Sequence, residues 1–117
     1  MEIVYNPQPL TAEQLTALSA DVKQALTELY GERLDRVILY GSYARGDFHA
    51  ESDVDYLVVL RDAEVQGGKE IRRMAPVIGP LALQYSVEVS IFPVAAVKYD
   101  SGYTLFYQSV LQEGVSV

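Results

Sequence analysis

Leu15, Leu18, Val22, Ala25, Leu26 and Leu29 recur at three- and four-residue intervals, the spacing of one helix face. Thr11, with Gln14 three residues on, makes a capping box ahead of them, and Gly31 offers a stop, so the pattern predicts a first helix to about Tyr30. Upstream, Asn6-Pro7-Gln8-Pro9 reads as an extended leader, because a residue before proline avoids the helical region. Two unbroken apolar runs follow, Leu34 to Tyr40 and Val54 to Leu60, and continuous apolarity marks strands covered on both faces. After a polar loop over residues 62–68, Ile71, Met74, Ala75, Ile78, Leu81 and Tyr85 form a helical stripe. Pro76 and Pro80 interrupt it, which predicts a kinked helix or two short ones. Residues 86–92 alternate, with Val87, Val89 and Ile91 on one side and Glu88, Ser90 and Phe92 on the other; this predicts a third strand, ended by Pro93. A last helix is expected over residues 102–112, with Leu105, Phe106, Ser109 and Val110 on one side, stopped by Glu113-Gly114 and followed by a short extended tail. The expected fold class is α/β (α+β), a mixed sheet with helices packed on it, forming a single domain over residues 1–117.

Composition narrows the function classes. No cysteine is present, so disulfides and thiolate metal sites are excluded, in keeping with a cytoplasmic location. No apolar run approaches the roughly 20 residues that a membrane span needs, and the opening stretch lacks the basic-then-apolar pattern of a secretory signal. The net charge of −7 argues against direct nucleic-acid binding, which relies on Lys and Arg, and suits a basic protein partner instead.

The chemistry concentrates where the two continuous strands meet. Gly41-Ser42 closes the first, ten residues intervene, and Asp53-Val54-Asp55 opens the second. Side chains alternate along a strand, so Asp53 and Asp55 point the same way. Two carboxylates on one face repel unless a cation lies between them, and a hard divalent ion with oxygen ligands, Mg²⁺ first, fits that need. A short helix starting near Ser42 would turn its first amides toward an anion such as a nucleotide's phosphates. The spacing from Gly41 to Gly46 imitates a P-loop, but Asp47-Phe48 follows where Lys-Ser/Thr is required, so that reading is rejected. His49, the only histidine, has no second imidazole for a metal site and reads as solvated; Tyr103, Phe106, Tyr107 and Val110 read first as core and second as a docking face.

Taken singly, a Gly-Ser or an Asp-x-Asp is uninformative. Together, with fixed spacing and flanking apolar strands, the stretch GSYARGDFHAESDVDYLVV closely resembles the minimal nucleotidyltransferases (MNT) of the DNA polymerase beta-like superfamily, best known as antitoxin halves of HEPN/MNT toxin–antitoxin pairs. The resemblance spans nearly the whole chain. It implies a small nucleotidyltransferase fold and Mg²⁺-dependent transfer of AMP from ATP to a hydroxyl, with a tyrosine of a helical HEPN-type partner as the expected acceptor. By matching position, Gly41 and Ser42 would contact the phosphates and Arg45 would neutralise their charge, unless it pairs with a nearby acid. Asp53, Asp55 and Glu88 would be the catalytic carboxylates and the ligands of two Mg²⁺ ions. The family more often carries Asp where this chain has Glu88, which moves that carboxylate outward by one methylene. The resemblance also leaves open an antitoxin that neutralises its partner by binding alone. A small-molecule adenylyltransferase working with a separate helical subunit is the third reading, although the chain lacks the added helical domain of the antibiotic-modifying relatives.

Overall fold

The computed structural model describes residues 6–117. The reading of the N-terminal stretch as free of a secretory pattern falls partly on residues 1–5, outside the described residues. Helix α1 is Ala12–Tyr30, and a 3-10 turn leads into β1, Leu34–Tyr40. Then come α2 (Ser42–Arg45), β2 (Val54–Leu60), α3 (Gly67–Tyr85) and β3 (Val89–Ala95), followed by α4 (Ala96–Asp100), α5 (Leu105–Glu113) and β4 (Val115–Ser116). The capping box forms as expected: the Gln14 amide donates to the Thr11 hydroxyl at 3.1 Å, and the Thr11 amide donates to the Gln14 side chain at 2.9 Å.

The four strands lie in the order β3-β2-β1-β4. β1 is antiparallel to both β2 and β4, whereas β2 and β3 run parallel, so the sheet is mixed as the element order implied. One face carries Val37, Leu39, Val54, Tyr56, Val58 and Leu60 against α1 and α3, through Leu18, Val22, Leu26, Met74 and Ile78. The buried Tyr56 hydroxyl is satisfied by Ser19 at 2.8 Å, which keeps a polar group tolerable in that core. The other face carries Ile38, Leu57, Val59 and Val94, covered by Tyr99 of α4 and Val110 of α5. Tyr40 packs against the margin of that second cluster and is half-buried, as is its cross-strand partner Asp55. Among the described residues, no helix is long and apolar enough to cross a membrane.

One alternative is decided and two boundaries are corrected. Of the two outcomes expected for the proline-bearing stretch, the structure shows the single helix, 19 residues long with both prolines inside it, and not two short ones. Pro76 and Pro80 both face water, so the carbonyls that lose their ladder partners, four residues earlier at Arg72 and Pro76, belong to a largely exposed side of the helix. The third strand begins at Val89 and runs through Pro93 to Ala95. β3 sits at the edge of the sheet, where a missing N–H on the unpaired side costs no ladder bond. The last helix starts at Leu105, not at residue 102, because the Thr104 hydroxyl caps the Tyr107 amide at 3.1 Å; α4 was not anticipated.

Candidate nucleotidyl-transfer site

Gly41 follows β1 in a backbone conformation with φ 75° and ψ −157°, a region essentially reserved for glycine. Glycine is required there for a second reason: a Cβ on Gly41 would collide with Asp55 Oδ2 and lie 3.2 Å from its Cγ. The backbone of the Gly-Ser turn and the Asp55 carboxylate are therefore packed directly together. Ser42 opens the anticipated short helix, Ser42–Arg45. Its first helical bonds are the Ala44 and Arg45 amides donating to the Gly41 carbonyl, at 3.1 and 3.0 Å, which leaves the Ser42 and Tyr43 amides ahead of the ladder. Tyr43 anchors the turn. Its hydroxyl accepts from the Leu10 amide at 3.0 Å, and its ring stacks on Phe48 with centroids 4.3 Å apart, tying the leader and the following loop to the site.

Strand register arranges the acids. Tyr40 pairs with Asp55 across β1 and β2, and Asp55 pairs with Ser90 across β2 and β3, so these three side chains form a row on one face. The Val54 amide donates to the Glu88 carbonyl at 2.9 Å, so the pairing of β3 with β2 already begins at Glu88. Alternation carried one residue back from Val89 puts Glu88 on the face of Asp55, and Asp53 precedes Asp55 on that same face. Among the described residues, no group of three acidic or histidine side chains is drawn close enough to hold a metal ion. Register thus gives Asp53, Asp55 and Glu88 one face, while the exposed Asp53 and Glu88 side chains do not converge with Asp55 into a closed ligand set.

The electrostatics fit a site awaiting positive charge. Burial pushes the Asp55 carboxyl above its ordinary value and the nearby Asp53 charge adds to this, while Arg45 pulls the other way. Burial, helped by Asp55, pushes the Tyr40 phenol up to about 12, so it stays protonated. Arg45 is held by two acids: its Nε donates to Asp47 at 3.2 Å and its Nη1 to both Glu113 oxygens at 3.3 Å. The pairing with a nearby acid foreseen for Arg45 is therefore real, yet the guanidinium remains near enough to Asp55 to act on it. Glu113, 68 residues away in sequence, carries no local signal that would have marked it as part of this neighbourhood. His49 is exposed in the connecting loop, where its Nδ1 accepts from the Glu51 amide at 3.2 Å.

A family model described as a nucleotidyltransferase domain matches residues 20–114. The chain belongs to that family. The nucleotidyltransferase is similar to two Methanocaldococcus jannaschii proteins provisionally named as protein adenylyltransferases. One is 34% identical over 77 residues, covering 66% of this chain and 76% of the relative. The other is 32% identical over 91 residues, covering 77% and 84%. Its fold is like that of a toxin–antitoxin crystal structure with AMP-PNP, at TM-score 0.60 and 21% identity over 84% of this chain and 70% of that one. The protein is an enzyme of the nucleotidyltransferase class, similar to protein adenylyltransferases.

Proposed function

We propose that this nucleotidyltransferase moves AMP from ATP to a protein hydroxyl, a tyrosine of a helical HEPN-type toxin partner, and acts as the antitoxin of the pair. The observation that carries the reading is the direct packing of Asp55 against the Gly41 backbone, which sets a carboxylate face beside a phosphate-sized turn. The relatives named as protein adenylyltransferases and the AMP-PNP-bearing neighbour support a nucleotide donor and a protein acceptor.

Asp53 and Asp55, with Glu88, are the residues that would hold Mg²⁺. Their chemistry fits it, since all are hard oxygen donors and Asp55 is disfavoured as a bare anion. When bound, the metal neutralises phosphate charge and lowers the pKa of a hydroxyl. The chain's own residues do the rest. The Ser42 and Tyr43 amides and the Ser42 hydroxyl bind and orient the β and γ phosphates, and Arg45 offsets their charge. The acceptor oxygen bonds to the α phosphorus, the bond to the β-phosphate oxygen breaks, and pyrophosphate leaves. Glu88 takes the proton lost by the acceptor hydroxyl.

Incubation of the protein with its toxin partner, labelled ATP and Mg²⁺ tests this. Label should move to the partner, and Asp53→Ala with Asp55→Ala should abolish transfer while the two proteins still bind. Absence of transfer by the wild type would leave neutralisation by binding alone as the better account.

A further inference from the structure

Beside the carboxylates lies an aromatic wall that the phosphate chemistry does not use. The next row down the same sheet face is Ile38, Leu57 and Phe92. Phe106 of α5 leans over that row, 5.3 Å from the Phe92 ring and 5.5 Å from the Tyr40 ring, the latter edge-on at 79°. Both phenylalanines are incompletely covered, Phe92 at 41% exposure and Phe106 at 38%. Ser90, the cross-strand partner of Asp55, precedes Phe92 by two residues on that face of β3 and sets only a short, exposed side chain between the carboxylate and the two rings.

We infer that Phe92 and Phe106 form the stacking wall for the nucleobase of the donor nucleotide, whose ribose lies over Ser90. The inference rests on the nucleotide-transfer reading and goes on to say where the base sits. Displacement at phosphorus is in line, so the acceptor enters opposite the departing pyrophosphate. With pyrophosphate at the Gly41-Ser42 turn on the β1 side, the acceptor arrives from the Glu88 side at the rim of the sheet. The direction left on this face runs down the sheet, past Ser90, to the aromatic pair. A nucleotide is charged at one end and flat and aromatic at the other. The site has the same polarity, with Arg45 and the turn at one end and two half-open rings at the other. Stacking on an aromatic face accepts any base, so the wall holds a base without choosing strongly among them.

Titration calorimetry in Mg²⁺ with ATP and, separately, with inorganic tripolyphosphate tests the assignment. Phe106→Leu and Phe92→Leu keep apolar volume and remove the flat face. Each should weaken ATP binding about tenfold, with tripolyphosphate affinity and the melting temperature held near the wild-type values. Unchanged ATP affinity in both variants, with tripolyphosphate still bound, would overturn the base subsite while leaving the phosphate site standing. If those variants instead need more acceptor protein to reach the same rate, the wall is an acceptor surface and the inference fails. A wild type that binds neither ligand would overturn the nucleotide-transfer reading and this inference with it.

Discussion

At the scale of single residues, the site depends on a missing Cβ and on an uncomfortable carboxylate. Gly41→Ala would put a methyl group into Asp55 Oδ2 and force a non-glycine residue into φ 75°, ψ −157°. Strain of this kind costs about 1–3 kcal/mol, and relief would have to come from moving Asp55. The variant should therefore unfold at lower denaturant and also lose AMP transfer, both measurable on one preparation. A stable but inactive variant would mean that only the phosphate turn had moved. Asp55→Asn separates the two effects in the opposite direction. Burial and the Asp53 charge disfavour the ionised Asp55 side chain, so the amide should raise the melting temperature near neutral pH without divalent ions while abolishing transfer. Added Mg²⁺ should raise the melting temperature of the wild type and leave the Asn variant unmoved. An equal rise in both would place the ion elsewhere.

At the scale of elements, the end of the sheet away from the site is fastened by one ionic knot. Arg33 Nε donates to Asp62 at 3.0 Å and its Nη2 donates to Glu70 at 3.0 Å, so the turn before β1 is tied to the end of β2 and the start of α3. Glu70 is buried and also accepts from the Tyr30 hydroxyl at 3.2 Å, and the Tyr30 phenol is pushed up to about 12, by burial first and then by Glu70. Arg33→Ala would leave the Glu70 charge with Tyr30 and the longer 3.7 Å contact to Arg73. The expected loss is about 1–2 kcal/mol, between the values for an exposed and a buried pair, because Glu70 is buried while Arg33 is 37% open to water. The hydrogen bond from Arg33 holds the Asp62 carboxyl below its ordinary value of 3.8. A depressed acid stabilises the fold above that ordinary value and stops doing so as pH falls through the folded-state value. Asp62→Asn should therefore be less stable than wild type at neutral pH, and the two unfolding curves should merge in strong acid; a gap that persists there would point to lost packing. Much of this level was legible beforehand, because helix caps and continuous strands are local signals: Thr11, Gln14 and the bounds of β1 and β2 stood where the pattern put them. Where the outcome was set by partners distant in sequence, the pattern misled. β2 fixes the start of β3 at Val89 and the edge position admits Pro93, whereas the stop at Gly114 and the extended tail stood as expected, the tail pairing with β1 where a Cβ on Gly114 would lie 2.6 Å from Ile38 Cγ2. For the same reason the sequence could nominate Asp53, Asp55 and Glu88 for one face but could not say whether their side chains close on a common point.

At the scale of the whole molecule, the balance of charge conflicts with the donor and suits the proposed acceptor. A chain of net charge −7 repels a triphosphate at a distance, so nucleotide capture has to come from short-range contacts at the turn. The same field draws in a basic protein, and it does so mainly by speeding encounter rather than by holding the complex once formed. Association with a basic toxin partner, followed by stopped-flow fluorescence, should slow by about tenfold as salt rises from low to roughly molar ionic strength, where the Debye length falls to about 3 Å. Dissociation should change much less over that range. Tripolyphosphate binding should respond in the opposite sense at first, because screening removes the long-range repulsion before it weakens contacts of hydrogen-bond length. An association rate indifferent to salt, with a partner known to be basic, would show that the acidic surface has no steering role and that recognition rests on apolar contact alone.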